Sequence, residues 1–93
     1  MLEKRILIVN RLGLHARAAA KLVRTASVYR SSVRLERTDG SAVADAKSIL
    51  SVLLLAASRG TELRLTIEGA DEPEALSAVC HLIENGFGEE QEA

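Results

Sequence analysis

Strict alternation of apolar and polar residues marks one segment of the chain as a half-buried strand. In residues 62–68, Leu63, Leu65 and Ile67 alternate with charged residues and a threonine. Successive side chains of a strand point to opposite faces, so the pattern predicts a sheet with one covered face and one solvated face. Sheets with one face in water are typically antiparallel, and we therefore expect an antiparallel sheet.

Three further segments have the composition of strands. Residues 2–9 are rich in β-branched types and predict a first strand. Residues 31–38 alternate between apolar and polar side chains, and the Asp39-Gly40 pair that follows is typical of a tight turn. Residues 41–44 are then expected to pair back as a short strand, which completes a hairpin.

Apolar residues at helical spacing predict two helices in the first two thirds of the chain. The first helix is expected over residues 16–28, with an apolar face toward the core and a basic face in solvent. The second is expected to begin within residues 46–48 and to end at the Arg59-Gly60 pair. It carries more apolar residues than one buried face of a short helix can hold, so some of its leucines should be exposed.

The third predicted helix has clear signals at both ends. Asp71 can act as its N-cap, and Glu74 stands three residues later, as in a capping box. Pro73 suits a first helical turn, and the Asn85-Gly86 pair supplies a stop. The buried face of this helix is predicted to contain Leu76, Val79, Cys80, Leu82 and Ile83.

These elements follow one another in the order β-α-β-β-α-β-α. With one polar sheet face, this order favours an α+β open-faced β-sandwich, in which three helices cover one face of a four-stranded antiparallel sheet. We expect a single domain over residues 1–88 and a short, frayed acidic tail over residues 89–93.

Composition removes several functional classes. The chain has 93 residues and a net charge of −1, and it contains one tyrosine, one phenylalanine and no tryptophan, so nucleic-acid binding is not expected. Its single cysteine, Cys80, cannot form an internal disulfide, and we find no signal-peptide core or membrane-length apolar run. These features predict a cytoplasmic protein that does not bind a membrane.

A histidine stands where the first strand turns into the first helix. Gly13 permits a tight turn, and the alanine-rich run from Ala16 favours a helix, so His15 is expected at the N-cap or in the first turn of that helix. A helix N-terminus attracts anions, and Arg17 adds a positive charge. These surroundings oppose an imidazolium, but they suit a neutral imidazole that carries a phosphoryl group. Taken alone, a lone histidine is more often a surface or capping residue.

Two motifs give the chain a specific resemblance. The segment 13–17 reads GLHAR and the segment 46–49 reads AKSI, and together they resemble HPr, the histidine phosphocarrier family of the bacterial phosphoenolpyruvate-dependent phosphotransferase system. The resemblance extends over about the whole chain. One departure is visible, because the family usually has proline where this chain has Ala18.

The resemblance implies a function and its partners. In this family the matching histidine accepts a phosphoryl group on Nδ1 from phosphorylated enzyme I and gives it to an enzyme IIA domain, which implies the same role for His15. The implied protein is a stoichiometric carrier rather than an enzyme, needs no cofactor or metal, and acts as a monomer. The sequence does not decide between sugar-related and nitrogen-related acceptors.

The resemblance also implies a docking surface around His15. It comprises one group on the first helix and an apolar group on the second: Ala16, Ala20, Lys21, Arg24, Ile49, Leu50 and Leu53. Both groups have a plainer interpretation. Cations on a solvated helix face are common, and Ile49, Leu50 and Leu53 could belong to the core.

Ser48 is open to two interpretations. Serine is a common N-cap residue, and Ser48 stands at or just before the start of the second helix. In many relatives, however, the matching serine is phosphorylated by HPr kinase/phosphorylase, which would put charge on a partner-binding surface.

The sequence is also compatible with two alternative functions. One is a regulatory adaptor that is switched by phosphorylation of His15 or Ser48. The other is a small-molecule sensor with a ferredoxin-like order of elements. A zinc site formed by Cys80, His81 and His15 is not expected, because paired ligand spacing is missing and adjacent helical residues face different ways. His81 is instead predicted at the helix surface.

Overall fold

The computed structural model describes residues 1–89, which form four strands and three helices. In chain order the elements are β1 (Leu2–Leu7), α1 (Ala16–Ser27), β2 (Ser32–Arg37), β3 (Val43–Asp45), α2 (Ile49–Leu54), β4 (Glu62–Glu68) and α3 (Glu72–Glu84), followed by a single 3-10 turn at Gly86–Gly88. The predicted order β-α-β-β-α-β-α and the α+β open-faced sandwich are both confirmed.

The sheet has the strand order β1-β4-β2-β3, and every neighbouring pair is antiparallel. Its inner face is apolar because the register aligns hydrophobic residues across strands, for example Ile6 with Leu63 and Leu35 with Leu65. All four of these side chains are buried. The alternation in β4 therefore predicted both the bounds of this strand and its covered face correctly.

The outer face of the sheet is polar and carries charge pairs between strands. The Arg64 guanidinium of β4 lies 3.5 Å from the Glu3 carboxylate of β1 and 3.2 Å from the Glu36 carboxylate of β2. Such partly exposed pairs contribute little stability, but they keep this face in water. The core consequently lies on the other side, between the sheet and the helices.

Helix α2 is shorter than predicted. It ends at Leu54, well before the predicted stop at Arg59-Gly60, because Ala56 adopts a left-handed conformation with φ 50° and the following segment packs against the turn before α1. Four apolar residues of α2 are exposed, as the surplus of leucines predicted: Ile49, Leu50, Leu53 and Leu54. Val52 and the C-cap residue Leu55 fill the core instead.

The predicted capping box of α3 is wrong. Asp71 does occupy the N-cap position, but its side chain makes no capping hydrogen bond. Its carboxylate instead accepts hydrogen bonds from the backbone N–H of Arg30 at 2.9 Å, and from the backbone N–H and hydroxyl of Ser31 at 2.9 and 2.6 Å. Asp71 therefore ties the start of α3 to the connection between α1 and β2.

The other element boundaries differ by small amounts. β1 ends at Leu7 rather than at residue 9, although Ile8 still bonds to Thr61 and Gly60 through its backbone. β3 is found one or two residues later than the predicted 41–44. Leu76 and Leu82 of α3 are only partly buried, whereas Val79, Cys80 and Ile83 are in the core as predicted. Among residues 1–89, no helix combines the length and the hydrophobicity needed to cross a bilayer.

Candidate functional site

The turn that leads into α1 is fixed by a hydrogen bond within the turn and by contact with the segment that follows α2. The buried Asn10 side chain donates a hydrogen bond to the carbonyl of Gly13 at 2.8 Å, and the N–H of Leu14 donates to the carbonyl of Ala57 at 2.9 Å. Gly13 has φ 68°, and a Cβ there would lie 2.6 Å from the Ala57 oxygen. Only glycine satisfies both the backbone angle and this close approach.

His15 is the N-cap residue of α1, which is one of the two positions predicted for it. Its backbone is extended, its carbonyl accepts the hydrogen bond from Ala19 N–H at 2.8 Å, and its ring atom Nδ1 accepts one from Arg17 N–H at 3.2 Å. The imidazole therefore takes the capping role more often played by serine, threonine or aspartate. As a result, the Nδ1 lone pair points toward the amino end of a helix of 12 residues.

The other ring nitrogen of His15 contacts a carboxylate from the far end of the chain. Nε2 is hydrogen-bonded to Oε2 of Glu89, and Oε1 of Glu89 accepts a hydrogen bond from the Asn10 side chain at 3.0 Å. Desolvation raises the pKa of Glu89, but the hydrogen bonds from His15 and Asn10 and the charges of His15 and Arg17 outweigh it, so this pKa is lowered. Glu89 is thus held as a carboxylate beside the imidazole.

The 3-10 turn at Gly86–Gly88 holds Glu89 in this place. Phe87 is fully buried in the core although its φ is 60°, and its carbonyl accepts a hydrogen bond from Nζ of Lys21 at 2.7 Å. The N–H of Glu89 donates to the carbonyl of Gly86 at 3.1 Å. The sequence did not predict this contact between Glu89 and His15. A signal was present, however, since the single phenylalanine of the chain lies between two glycines and is an obvious core anchor.

The predicted acidic tail, residues 89–93, begins with a residue that packs on the folded domain. Glu89 is its first residue, and it packs on the folded unit instead of fraying. Residues 90–93, the remainder of the predicted tail, lie outside the described residues. The boundary between residues 88 and 89 stays a prediction.

The residues of the predicted docking surface come from two helices that pack side by side, α1 and α2. Ala16, Arg17 and Arg24 are exposed on α1, and Ala20 is half-buried. On α2, Ile49, Leu50 and Leu53 are exposed. The exposure of these three residues excludes the plainer interpretation that they belong to the core. Lys21 differs from the others, because its ammonium group is used to hold the Phe87 carbonyl.

Ser48 is the N-cap residue of α2. Its backbone is extended, and its hydroxyl oxygen accepts a hydrogen bond from Ser51 N–H at 3.3 Å. The carbonyl of Ser48 accepts the first helical bond, from Val52 N–H at 3.0 Å. The structural interpretation of Ser48 is therefore correct, and it is compatible with a regulatory role.

The second histidine of the chain is found at the surface, as predicted. His81 is exposed on α3, whereas its neighbour Cys80 is buried, and burial raises the pKa of the Cys80 thiol. Within residues 1–89 no three histidine, cysteine, aspartate or glutamate side chains lie close enough together to hold a metal ion. His81 is therefore a suitable internal control for His15.

Comparison with known proteins shows which family the chain resembles. The family described as "PTS HPr component phosphorylation site" matches residues 2–85. The chain is 51% identical to the phosphocarrier protein HPr of Xylella fastidiosa (strain 9a5c), over 97% of this chain and 99% of that one.

Solved structures agree in fold with the chain. The HPr-C-His protein of Thermoanaerobacter tengcongensis is 44% identical and superimposes with a TM-score of 0.90 over 97% of this chain and 99% of that one. A structure of an HPr dimer from the same organism, also 44% identical, gives a TM-score of 0.74 over 96% of this chain and 100% of that one.

Proposed function

The chain belongs to the HPr family of phosphotransferase-system phosphocarriers, and from that membership we propose that His15 accepts a phosphoryl group from phosphorylated enzyme I and passes it to an enzyme IIA domain. The chain would act in the cytoplasm as a monomer. It is a stoichiometric carrier, in which a phosphohistidine is the form that travels between the two partners.

One observation carries this proposal: Nδ1 of His15 is a hydrogen-bond acceptor that points at the amino end of α1. The Arg17 N–H donates to this atom at 3.2 Å, so the Nδ1 electron pair is available on the side where α1 begins. In the transfer, this pair forms the N–P bond while the bond from phosphorus to the donor breaks and its electron pair leaves with the donor. The Arg17 N–H can then donate to a phosphoryl oxygen.

Three features of the site stabilise the negative charge that arrives with the phosphoryl group. The first N–H groups of α1 have no intrahelical partner, the helix dipole is positive at this end, and the exposed Arg17 guanidinium can donate charge-assisted hydrogen bonds. Because the Arg17 side chain is exposed, water and salt screen its interaction with a phosphoryl group and keep that interaction moderate. A carrier needs that moderation, since a phosphoryl group held too firmly would not be passed on.

The same surface would receive both partners in turn. Ile49, Leu50 and Leu53 supply exposed apolar area beside the cationic residues Arg17 and Arg24. A small patch of this kind suits a weak, short-lived complex, which a relay requires. We include Ala16, Ala20 and Lys21 in this surface; the Lys21 ammonium group is less free to contact a partner, because it is hydrogen-bonded to the Phe87 carbonyl.

We further propose that phosphorylation of Ser48 by HPr kinase/phosphorylase regulates docking. Ser48 lies directly before Ile49, so a phosphate on its hydroxyl would add negative charge at the edge of the apolar patch. Enzyme I docking should weaken as a result. This regulation is separate from carriage by His15.

Phosphoryl acceptance can be tested by intact-protein and peptide mass spectrometry after incubation with phosphoenolpyruvate and enzyme I. We expect one acid-labile phosphoryl group on the peptide that contains His15. His15→Ala should abolish it, and His81→Ala, the matched change on α3, should not. Modification on His81, or unchanged labelling of His15→Ala, would remove His15 from the proposal. Binding of enzyme I without any labelling would instead favour the adaptor function.

A further inference from the structure

We propose that Glu89 is a positioning residue for His15: its carboxylate holds Nε2–H of the imidazole, and so keeps Nδ1 unprotonated and directed at the start of α1. This inference rests on the proposed function, because it concerns how the phosphoryl-accepting atom is presented. Glu89 lies at the end of the described chain and comes after the residues that the family description matches.

Both oxygen atoms of Glu89 have a defined partner. Oε2 contacts Nε2 of His15, and Oε1 accepts from Nδ2 of Asn10 at 3.0 Å. Only 16% of the Glu89 side chain and 23% of the His15 side chain are exposed, so water competes weakly for these hydrogen bonds. The carboxylate therefore bridges a fully buried asparagine and the reactive ring.

The orientation of Asn10 is itself determined by its surroundings. Its Nδ2 donates to two acceptors, the Gly13 carbonyl and the Glu89 carboxylate, while its Oδ1 is buried without a partner among the described residues. Rotating the amide by half a turn would place an oxygen atom against both acceptors. The chain thus tolerates one unsatisfied buried oxygen in order to keep a donor aimed at Glu89.

Packing of Phe87 in the core, and not contact with His15, fixes the backbone around Glu89. Phe87 is buried, and the residues on each side of it, Gly86 and Gly88, also have positive φ angles of 63° and 71°. This left-handed turn directs the chain back toward α1, where Lys21 holds the Phe87 carbonyl. Glu89 therefore reaches His15 without losing much freedom at the moment of transfer.

The two hydrogen bonds on the His15 ring have opposite directions. Nδ1 accepts from Arg17 N–H, and Nε2 faces a carboxylate that can only accept, so the ring proton must be on Nε2. When Nδ1 forms a bond to phosphorus, the proton stays on Nε2 and the ring gains positive charge. The Glu89 carboxylate stabilises that charge, much as the buried aspartate orients the histidine of a serine protease.

The test combines a spectroscopic reading of the ring with the rate of phosphoryl acceptance. Glu89→Gln keeps the size of the side chain and removes its charge, and Glu89→Asp keeps the charge on a shorter side chain. Glu84→Gln is the matched control, because Glu84 carries the same charge but pairs with Lys4 of β1 instead of His15. Nitrogen-15 NMR of His15 reports the protonation state of each ring nitrogen before any phosphoryl group is added.

For the wild type we expect a protonated Nε2 with a downfield proton resonance that is protected from solvent, and an Nδ1 with the shift of an unprotonated nitrogen. In Glu89→Gln the protected resonance should be lost, and single-turnover acceptance from phosphorylated enzyme I should slow roughly tenfold. Glu89→Asp should recover part of that rate, and Glu84→Gln should behave as wild type in both measurements.

Two results would overturn the role of Glu89. One is an unchanged or faster acceptance rate in Glu89→Gln, which would mean that Glu89 only shields the ring from solvent and partners. The other is a wild-type ring without a protected Nε2 proton. Failure of the proposed function would look different, since the wild type would show the NMR signature and still accept no phosphoryl group.

Discussion

The backbone of Gly13 runs so close to Ala57 that a Cβ atom on Gly13 would lie 2.6 Å from the Ala57 carbonyl oxygen. That carbonyl accepts the hydrogen bond from Leu14 N–H at 2.9 Å. The turn that carries His15 is therefore seated on the segment that follows α2. This contact links α1 and α2, the two helices that carry the proposed docking surface.

Gly13→Ala should damage both stability and phosphoryl acceptance. The substitution combines a left-handed backbone with a clash against main-chain atoms that cannot move away, so we expect the free energy of unfolding to fall by about 2–4 kcal/mol. Gly40→Ala is the control, since Gly40 also has a positive φ but nothing lies within 4 Å of its Cβ position. It should lose only about 1–2 kcal/mol. Equal losses in urea unfolding would mean that the Gly13 contact with Ala57 is not tight.

Asp71 should make the free energy of unfolding depend on pH in acid. Hydrogen bonds from the Ser31 side chain, the Arg30 backbone and the Ser31 backbone lower the pKa of Asp71 from 3.8 to about 2. A carboxyl group with a lowered folded-state pKa stabilises the fold above its unfolded pKa, and this stability is lost as pH falls through the folded pKa. The contribution should therefore be complete above about pH 4 and should disappear toward about pH 2.

Asp71→Asn tests this prediction. The difference in unfolding free energy between the wild type and the variant should be constant near neutral pH and should shrink as the pH is lowered from 4 to 2. Urea titrations followed by circular dichroism at each pH would measure it. A difference that does not change with pH would show that the Asp71 hydrogen bonds do not depend on its charge.

Ser48→Asp should weaken the binding of enzyme I while leaving the melting temperature unchanged or higher. Aspartate is a good N-cap residue, and its charge suits the helix N-terminus, but it places a carboxylate next to Ile49 and Leu50. Ser48→Asn is the control, because asparagine caps a helix equally well without the charge. Isothermal titration calorimetry should show weaker binding for the aspartate variant alone. Unchanged binding would place Ser48 outside the interface.

Ala18→Pro should fold and should raise the free energy of unfolding by about 0.4–1 kcal/mol, because proline restricts the unfolded chain. Ala18 is the third residue of α1, so its N–H belongs to the first turn and has no intrahelical partner. Its side chain is fully buried, and the proline ring must fit the same space. A melting temperature several degrees lower would mean that the ring does not fit or that the Ala18 N–H is already bonded.

Local patterns predicted the parts of the site that depend on neighbours in sequence. The bounds of β4 follow from its alternation, and the N-cap positions of His15 and Ser48 follow from a turn or capping residue that precedes a helix. The exposed face of α2 was also predictable, because a short helix cannot bury so many leucines. Each of these predictions needs only a few adjacent residues.

The parts that the sequence did not predict depend on contacts between distant segments. The carboxylate of Asp71 bonds to Arg30 and Ser31, about 40 residues away, and no local pattern indicates that this contact displaces a capping box. Similarly, Glu89 reaches His15 across a separation of 74 residues because Phe87 is anchored in the core. Both contacts arise only when the sheet has brought the helix ends together.

A reconstituted relay tests most directly whether His15 carries a phosphoryl group between two proteins. Phosphoenolpyruvate, enzyme I and an enzyme IIA domain are mixed with a small amount of the chain, far below the amount of the acceptor, and phosphorylated acceptor is measured over time. We predict that the acceptor becomes fully phosphorylated with the wild type, and not with His15→Ala or without the chain. Equal phosphorylation of the acceptor in all three mixtures, or none with the wild type, would contradict the relay.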